Sequence, residues 1–166
     1  VGETCCGWPT AFHRCPSCQC LIPHPFLFTE DINEQDFGEV LDGYDAFYAE
    51  ISAGIDFMVA PLQCLPPFPR RPKMLDVGCG FGFAMLYAQS MLDADVLGFE
   101  PGVYGRIGAQ MLGLDIRDSY FSGTQEKFDI IYASEVIEHV EDPFNFLQLL
   151  AKSIQKSGFL VLTTPN

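Results

Sequence analysis

Three glycines at alternate positions carry the clearest chemical signal in this chain. They lie in residues 73–83, KMLDVGCGFGF, where an apolar segment predicts a β-strand and the segment after it predicts a helix. Glycine has no Cβ, so a ligand can lie against its bare backbone, and the first turn of a helix presents free N–H groups at the same place. We therefore expect Gly78, Gly80 and Gly82, with Cys79 between the first two, to form a turn that binds a cofactor.

Two carboxylates narrow the choice of ligand. Asp76 stands two residues before the first glycine, where it suits an ammonium group and would repel a pyrophosphate. Glu100 ends the next predicted strand, at the spacing of an acid that accepts hydrogen bonds from ribose hydroxyls. The dinucleotide fingerprint G-x-G-x-x-G needs a glycine where this chain has Phe83, and the P-loop pattern is absent from the sequence. The combination favours a cationic ligand without phosphate, such as S-adenosylmethionine.

The segments around the glycine turn alternate between strand-like and helix-like patterns. The predicted strands are 74–78, 96–100, 114–116, 128–134 and 159–163, and the predicted helices are 82–92, 103–112 and a third that begins at Asp142-Pro143 and is closed by Gly158. Alternating βα units predict an α/β fold, a Rossmann-like doubly wound parallel sheet with flanking helices. Its ligand is expected beyond the C-terminal strand ends.

The first 41 residues differ from the rest. They are rich in cysteine and proline and have no regular periodicity, so we expect a small cysteine-rich head at 1–41 and a larger domain at 42–166. Five of the seven cysteines lie in the first 20 residues. Cys15 and Cys18 have the C-x-x-C spacing of a zinc knuckle, and Cys5 and Cys6 could complete four thiolates; free thiols are the alternative.

A helix is expected between the head and the alternating units. Apolar residues recur at helical spacing from Tyr44 to Val59, and Pro61 is expected to stop the helix. Residues 66–72, PPFPRRP, then predict a stiff linker.

Charge and cysteine usage limit the partners and the compartment. The formal net charge is −13, so nucleic acid and anionic membranes are disfavoured as partners and a small-molecule substrate is expected. No apolar run is long enough to span a membrane, and no signal-peptide pattern opens the sequence. The cysteines do not form a disulfide framework, which favours a reducing compartment and hence a cytoplasmic location.

Four segments taken in order resemble the class I S-adenosylmethionine-dependent methyltransferases. They are 76–82 (DVGCGFG), 128–131 (FDII), 138–143 (EHVEDP) and 158–166 (GFLVLTTPN). The resemblance covers about residues 73–166 and implies strand order 3-2-1-4-5. It also implies methyl transfer from S-adenosylmethionine to an O, N or C nucleophile of an acceptor.

The resemblance implies roles for single residues. The three glycines would pass under the methionine part and the ribose, Asp76 would hold the amino group, and Glu100 would bind the ribose hydroxyls. Ser134 and Glu135 would flank the methionine moiety and the reacting methyl group. Asp118 is the nearest candidate on the adenine side, and His139 is the candidate general base on the acceptor side because of its pKa range.

One departure from the family pattern and two rival functions complete the expectations. Family members continue after strand five with a helix and an antiparallel strand pair, which is missing here, so a truncated C-terminus and self-association through the strand-five edge are expected. The rival functions are a nicotinamide-dependent oxidoreductase and a non-catalytic zinc-containing binding module with a vestigial cofactor fold. Ligand binding and metal analysis discriminate between them.

Overall fold

A computed structural model of the chain describes residues 2–3, 9–14, 16–17, 21–24 and 52–164. The chain divides into two compact units, residues 1–32 and 33–166. In the first unit, three short strands, which the sequence did not predict, pair antiparallel in the order β1-β2-β3. They are β1 (Gly2–Glu3), β2 (Pro9–Arg14) and β3 (Leu21–His24). The expected head boundary at residue 41 lies outside the described residues.

The second unit is a five-stranded parallel sheet with helices between the strands. The strands are β4 (Lys73–Val77), β5 (Asp95–Phe99), β6 (Ile116–Arg117), β7 (Phe128–Ser134) and β8 (Ile154–Thr163). The helices are α1 (Ser52–Gln63), α2 (Phe83–Leu92), α3 (Val103–Leu112) and α4 (Pro143–Ser153). The spatial order β6-β5-β4-β7-β8 is the predicted 3-2-1-4-5, and all neighbours are parallel. The predicted Rossmann-like fold is therefore confirmed.

The hydrophobic core lies on both faces of this sheet. Alternate residues of a strand point to opposite faces, so Leu75 of β4 belongs to one cluster and Met74 to the other. Phe146 and Leu150 of α4 pack in the first cluster, and Leu62 of α1 packs in the second. The central strands are apolar at nearly every position because both of their faces are covered.

Helix α1 corrects one expectation, since Pro61 lies inside it and does not stop it. Proline removes one N–H donor and usually breaks a helix interior. Here it lies in the last turn, where Cys64 N–H donates to the Pro61 carbonyl at 3.3 Å. Val59 and Leu62 are buried on either side of it. The burial of Val59 and Leu62 and the bond from Cys64 to Pro61 stabilise the last turn of the helix. The predicted start of the helix at Tyr44 lies outside the described residues.

The end of α4 corrects a second expectation. The helix stops at Ser153, and Gly158, predicted to close it, lies within β8. A Cβ at position 158 would lie 2.9 Å from the Asp129 carbonyl oxygen, so glycine is needed for the close approach of β8 to β7 rather than for a helix cap. On α4, Phe146 is buried, whereas Phe144 is 73% exposed.

Strand β8 forms one edge of the described sheet. Leu160 and Leu162 on this strand are 40% and 37% exposed. The self-association expected through this edge stays a prediction. Within the described part of the chain, every helix is too short or too polar to cross a bilayer.

Candidate functional site

The turn after β4 has the backbone conformation that its glycines predict. Gly78, Gly80 and Gly82 have φ angles of 71°, 52° and 85°, in the left-handed region that side chains disfavour. The N–H of Gly78 donates to the Phe99 carbonyl at 2.8 Å, which ties the turn to the end of β5. A Cβ on Gly78 would meet Val136 Cγ2 at 2.4 Å, whereas a Cβ on Gly80 would meet no atom within 4 Å. Gly80 therefore leaves open space above the turn.

A cavity of about 240 Å³ opens at this turn, beyond the C-terminal ends of β4 and β7. Of the residues predicted as a site, six line it: Asp76, Gly78, Cys79, Gly80, Ser134 and Glu135. The remaining lining residues were missed by sequence reasoning: Met58, Phe81, Phe83, Ala84, Tyr104 and Tyr132. Two of the lining side chains are acidic, and none of the described ones is Lys, Arg or His. The cavity thus combines carboxylates with aromatic rings, a setting that favours a cation.

Asp76 is the most unusual group of the cavity. Asp76 is only 2% exposed, and its Oδ2 has no hydrogen-bond partner among the described residues. Burial raises the pKa of Asp76 to about 8, and the nearby charge of Glu100 adds to the rise. A buried polar atom without a hydrogen-bond partner destabilises the folded protein. The lack of a described partner for this oxygen therefore indicates that a ligand supplies one.

Glu100 lies next to the turn rather than on the cavity wall. Its Oε2 accepts a hydrogen bond from Gly80 N–H at 3.0 Å. Burial raises the pKa of Glu100, the bond from Gly80 opposes that rise, and the charge of Asp118 adds to it. The structure therefore brings Glu100 together with the glycine turn, and its binding of the ribose stays a prediction.

Cys79 lies near the carboxylates of Asp76 and Glu100, and these surroundings do not activate its thiol. Burial raises the pKa of its thiol, and the charges of Asp76 and Glu100 raise it further. A Cβ on Gly98 of β5 would lie 2.7 Å from Cys79 Sγ, so the thiol packs tightly over this neighbouring glycine. Its chemistry is that of a small apolar side chain.

The segment after β7 is held by the end of β8. Glu135 has a φ of 57°, rare for a residue with a side chain, and its N–H donates to the Thr163 carbonyl at 3.1 Å. Its carboxylate accepts a hydrogen bond from Thr163 Oγ1 at 3.0 Å. Ser134 Oγ lies 2.6 Å from the same Oγ1. Both predicted residues at the end of β7 therefore face the cavity from a braced position.

Tyr132 closes the cavity on the side of α1. Its hydroxyl donates to the carbonyl of Met58, which joins β7 to this helix. Burial raises the pKa of Tyr132, and a bond with Ser134 opposes the rise. In the sequence, a tyrosine inside a strongly apolar strand predicts a core residue, so the pattern did not indicate that Tyr132 lines a cavity.

Besides Glu100, three predicted residues do not line the cavity. Gly82 ends the turn at the start of α2, where a Cβ would meet Leu114 Cδ1 at 2.5 Å. Asp118 is exposed beyond β6. Its carboxylate accepts a hydrogen bond from Gly102 N–H at 3.1 Å and pairs with Arg106 at 2.9 Å. The bond from Arg106 is the main cause of the lowered pKa of Asp118. His139 follows in a short 3₁₀ turn, with 67% of its side chain exposed. Its role as a general base stays a prediction.

The predicted zinc ligands lie outside the described residues. These are Cys5, Cys6, Cys15 and Cys18. Within the residues that the structure does describe, no cluster of three His, Cys, Asp or Glu side chains could hold a metal ion. The zinc site stays a prediction.

Known proteins resemble this chain in sequence and in fold. Residues 45–166 match the family model described as a methyltransferase domain. The chain is 34% identical over 102 residues to the ubiquinone biosynthesis O-methyltransferase of Rhodopseudomonas palustris (strain TIE-1), an alignment that covers 57% of this chain and 40% of that protein. It is 31% identical over 105 residues to the tRNA U34 carboxymethyltransferase of Helicobacter hepaticus, covering 54% and 33% of the two chains.

A solved structure shares the fold. The plantazolicin methyltransferase in complex with S-adenosylhomocysteine (SAH) and a monoazolic desmethylPZN analogue superposes with a TM-score of 0.59 at 18% identity, covering 80% of this chain and 54% of that one. The chain spans 40% or less of the length of the two curated relatives named above.

Proposed function

The chain belongs to the family of methyltransferase domains, and from that premise we propose that it binds S-adenosylmethionine and transfers its methyl group to a small-molecule acceptor. The observation that carries the proposal is the unpaired, buried Oδ2 of Asp76 in an acidic cavity beside the glycine turn. The resemblance of four ordered sequence segments to the class I enzymes supports the same cofactor.

The residues present fit this cofactor. The unpaired oxygen of Asp76 can accept hydrogen bonds from an ammonium group, which would end its isolation and lower its pKa. Glu135 adds a second carboxylate, so a sulfonium and an ammonium are both favoured in the cavity and a pyrophosphate is disfavoured. This charge pattern argues against the nicotinamide-dependent oxidoreductase.

Glu100 and Gly80 are assigned to the nucleoside part. The carboxylate of Glu100 accepts a bond from Gly80 N–H, which fixes it at the edge of the glycine turn. A carboxylate in this place can accept hydrogen bonds from both ribose hydroxyls. Gly80 leaves the space above the turn free, and a larger side chain at that position would occupy it.

Methyl transfer requires little of the protein beyond the placement of the two reactants. When bound, the cofactor supplies a methyl group already activated by the positive sulfur. The chain's own residues then bind and orient the two reactants, and in-line placement accounts for much of the rate. Ser134 and Glu135 are proposed to flank the reacting end, and His139 to take a proton where the acceptor arrives protonated.

The acceptor is proposed to be a small molecule with an O, N or C nucleophile. The net charge of −13 disfavours a nucleic acid, and the name of the relative from Rhodopseudomonas palustris is that of an O-methyltransferase. A relative named for tRNA leaves a nucleic-acid partner open, so the charge is the argument for the small molecule.

Isothermal titration calorimetry with SAH and with NAD tests the proposal. We expect SAH to bind with one site per chain and NAD not to bind at the same concentrations. Glu100→Ala and Gly80→Val should each weaken SAH binding at least tenfold. Glu126→Ala is the matched control, because Glu126 is exposed and pairs with Lys73 at the opposite end of β4. Unchanged affinity in both site variants would remove these residues from the site.

The non-catalytic zinc-containing module remains the alternative. Its distinguishing feature would be bound metal without cofactor affinity. Calorimetry and metal analysis on the same preparation therefore separate it from the methyltransferase.

A further inference from the structure

One residue of β8, Thr163, holds the two cavity residues at the end of β7, Ser134 and Glu135. The backbone carbonyl of Thr163 accepts the N–H of Glu135, and its hydroxyl donates to the carboxylate of Glu135. The same hydroxyl oxygen lies 2.6 Å from Ser134 Oγ. Thr163 is thus bonded to Glu135 at two points and to Ser134 at a third.

The hydrogen-bond inventory fixes the direction of this network. A threonine hydroxyl has one hydrogen, and a carboxylate can only accept, so the hydrogen of Thr163 goes to Glu135. The short contact with Ser134 then requires the serine to donate. The lone pairs of Ser134 stay available to the cavity, together with the carboxylate of Glu135.

The backbone at Glu135 explains why a brace is needed. A φ of 57° on a residue with a side chain is sparsely populated and costs free energy. Such a conformation persists only where its surroundings hold it, and the bonds from Thr163 are the described ones that do so.

Resting on the proposed function, we propose that Thr163 is a positioning residue for the amino group of the cofactor. It turns Ser134 and Glu135 into an acceptor-only part of the wall of the same cavity that the unpaired oxygen of Asp76 lines. An ammonium has three donors and no acceptor, which matches a wall made of acceptors. The hydroxyl of Tyr132 donates its one hydrogen to the Met58 carbonyl, so toward Ser134 and the cavity it can only accept.

Two ligands separate positioning from a general structural effect. SAH carries the amino-acid part, and 5′-methylthioadenosine has the same nucleoside without it. In Thr163→Val, which keeps the shape and removes the hydroxyl, we expect the affinity for SAH to fall about tenfold and that for methylthioadenosine to change less than about twofold. Thr163→Ser should restore SAH affinity. Thr163→Ala removes the same hydroxyl with a different packing change and should repeat the selective loss, which covers a failure of the valine variant to fold.

The outcomes are distinct, with calorimetry as the readout and thermal unfolding as the folding control. Wild-type chain that binds neither ligand would overturn the proposed function. Wild-type binding of both ligands, with an unchanged ratio of affinities in Thr163→Val and Thr163→Ala, would overturn the role of Thr163 and leave the proposed function standing. Equal loss of both ligands would show a structural role and also overturn it.

Discussion

The unpaired oxygen of Asp76 is a cost to the folded protein that a ligand can relieve. Asp76 is 2% exposed, and its pKa is raised to about 8 from 3.8. Between these two pH values the folded state binds more protons than the unfolded state at this residue. The sign follows directly: the free energy of unfolding falls as the pH rises from about 4 to 8, and this contribution is level above 8.

Replacing Asp76 by Asn removes this pH dependence. We expect Asp76→Asn to be more stable than the wild type at pH 8, on the order of 3 kcal/mol, and the difference to shrink toward pH 5. Urea unfolding at a series of pH values measures it, with Asp93→Asn at an 86% exposed side chain as control. A constant difference across the pH range would contradict the burial argument. The same variant should lose SAH affinity, because the amide cannot supply the charge.

Sequence reasoning located the polar residues of the site but not its walls. Asp76, Glu100 and the three glycines were found because acids and glycines beside a strand end are chemically conspicuous. Phe81, Phe83 and Tyr104 line the cavity as well, but aromatic residues near a strand or helix are usually core. Thr163 was missed because its role depends on the parallel pairing of β7 with β8, which places it opposite Ser134.

At the scale of elements, helix α3 packs on the glycine turn through a glycine of its own. A Cβ at Gly108 would lie 2.2 Å from the carbonyl oxygen of Phe81, so the helix backbone lies against the turn. In an exposed helix, Gly→Ala stabilises by about 1 kcal/mol. At Gly108 the sign should reverse, because the alanine methyl group forces the helix away from the turn.

We expect Gly108→Ala to destabilise the chain by about 2 kcal/mol and to weaken SAH binding. Gln110→Ala, at an exposed position of the same helix, is the control and should stay within about 0.5 kcal/mol of the wild type. Chemical denaturation and calorimetry give the two readouts. A stabilising Gly108→Ala would mean that α3 does not lie against the turn.

The elements themselves were largely predictable from periodicity, and the failures have local causes. The bounds of β7 and α3 agree with prediction because a buried strand and a helix closed by Gly113 have clear patterns. Gly158 was read as a helix end because glycine is common there, but in β8 it is required by the nearness of β7. Pro61 was read as a stop, although burial of Leu62 holds the last turn of α1 around it.

At the scale of the whole molecule, the cysteines of the first 20 residues predict a metal site that lies outside the described residues. We expect one zinc ion per chain, held by Cys5, Cys6, Cys15 and Cys18, because C-x-x-C spacing suits a tetrahedral thiolate site. Elemental analysis of the purified chain should show zinc lost in the Cys15→Ser, Cys18→Ser double variant. Cys64→Ser, at an exposed free cysteine, should retain it. Metal-free wild-type protein would contradict the prediction.

The most direct test of the central claim is a crystal structure of the chain with SAH. We expect electron density for the ligand over the glycine turn, with its ribose hydroxyls at Glu100 and its amino group at the oxygen of Asp76 that has no described partner. Density for SAH elsewhere on the chain, or an empty cavity in crystals grown with saturating SAH, would contradict it.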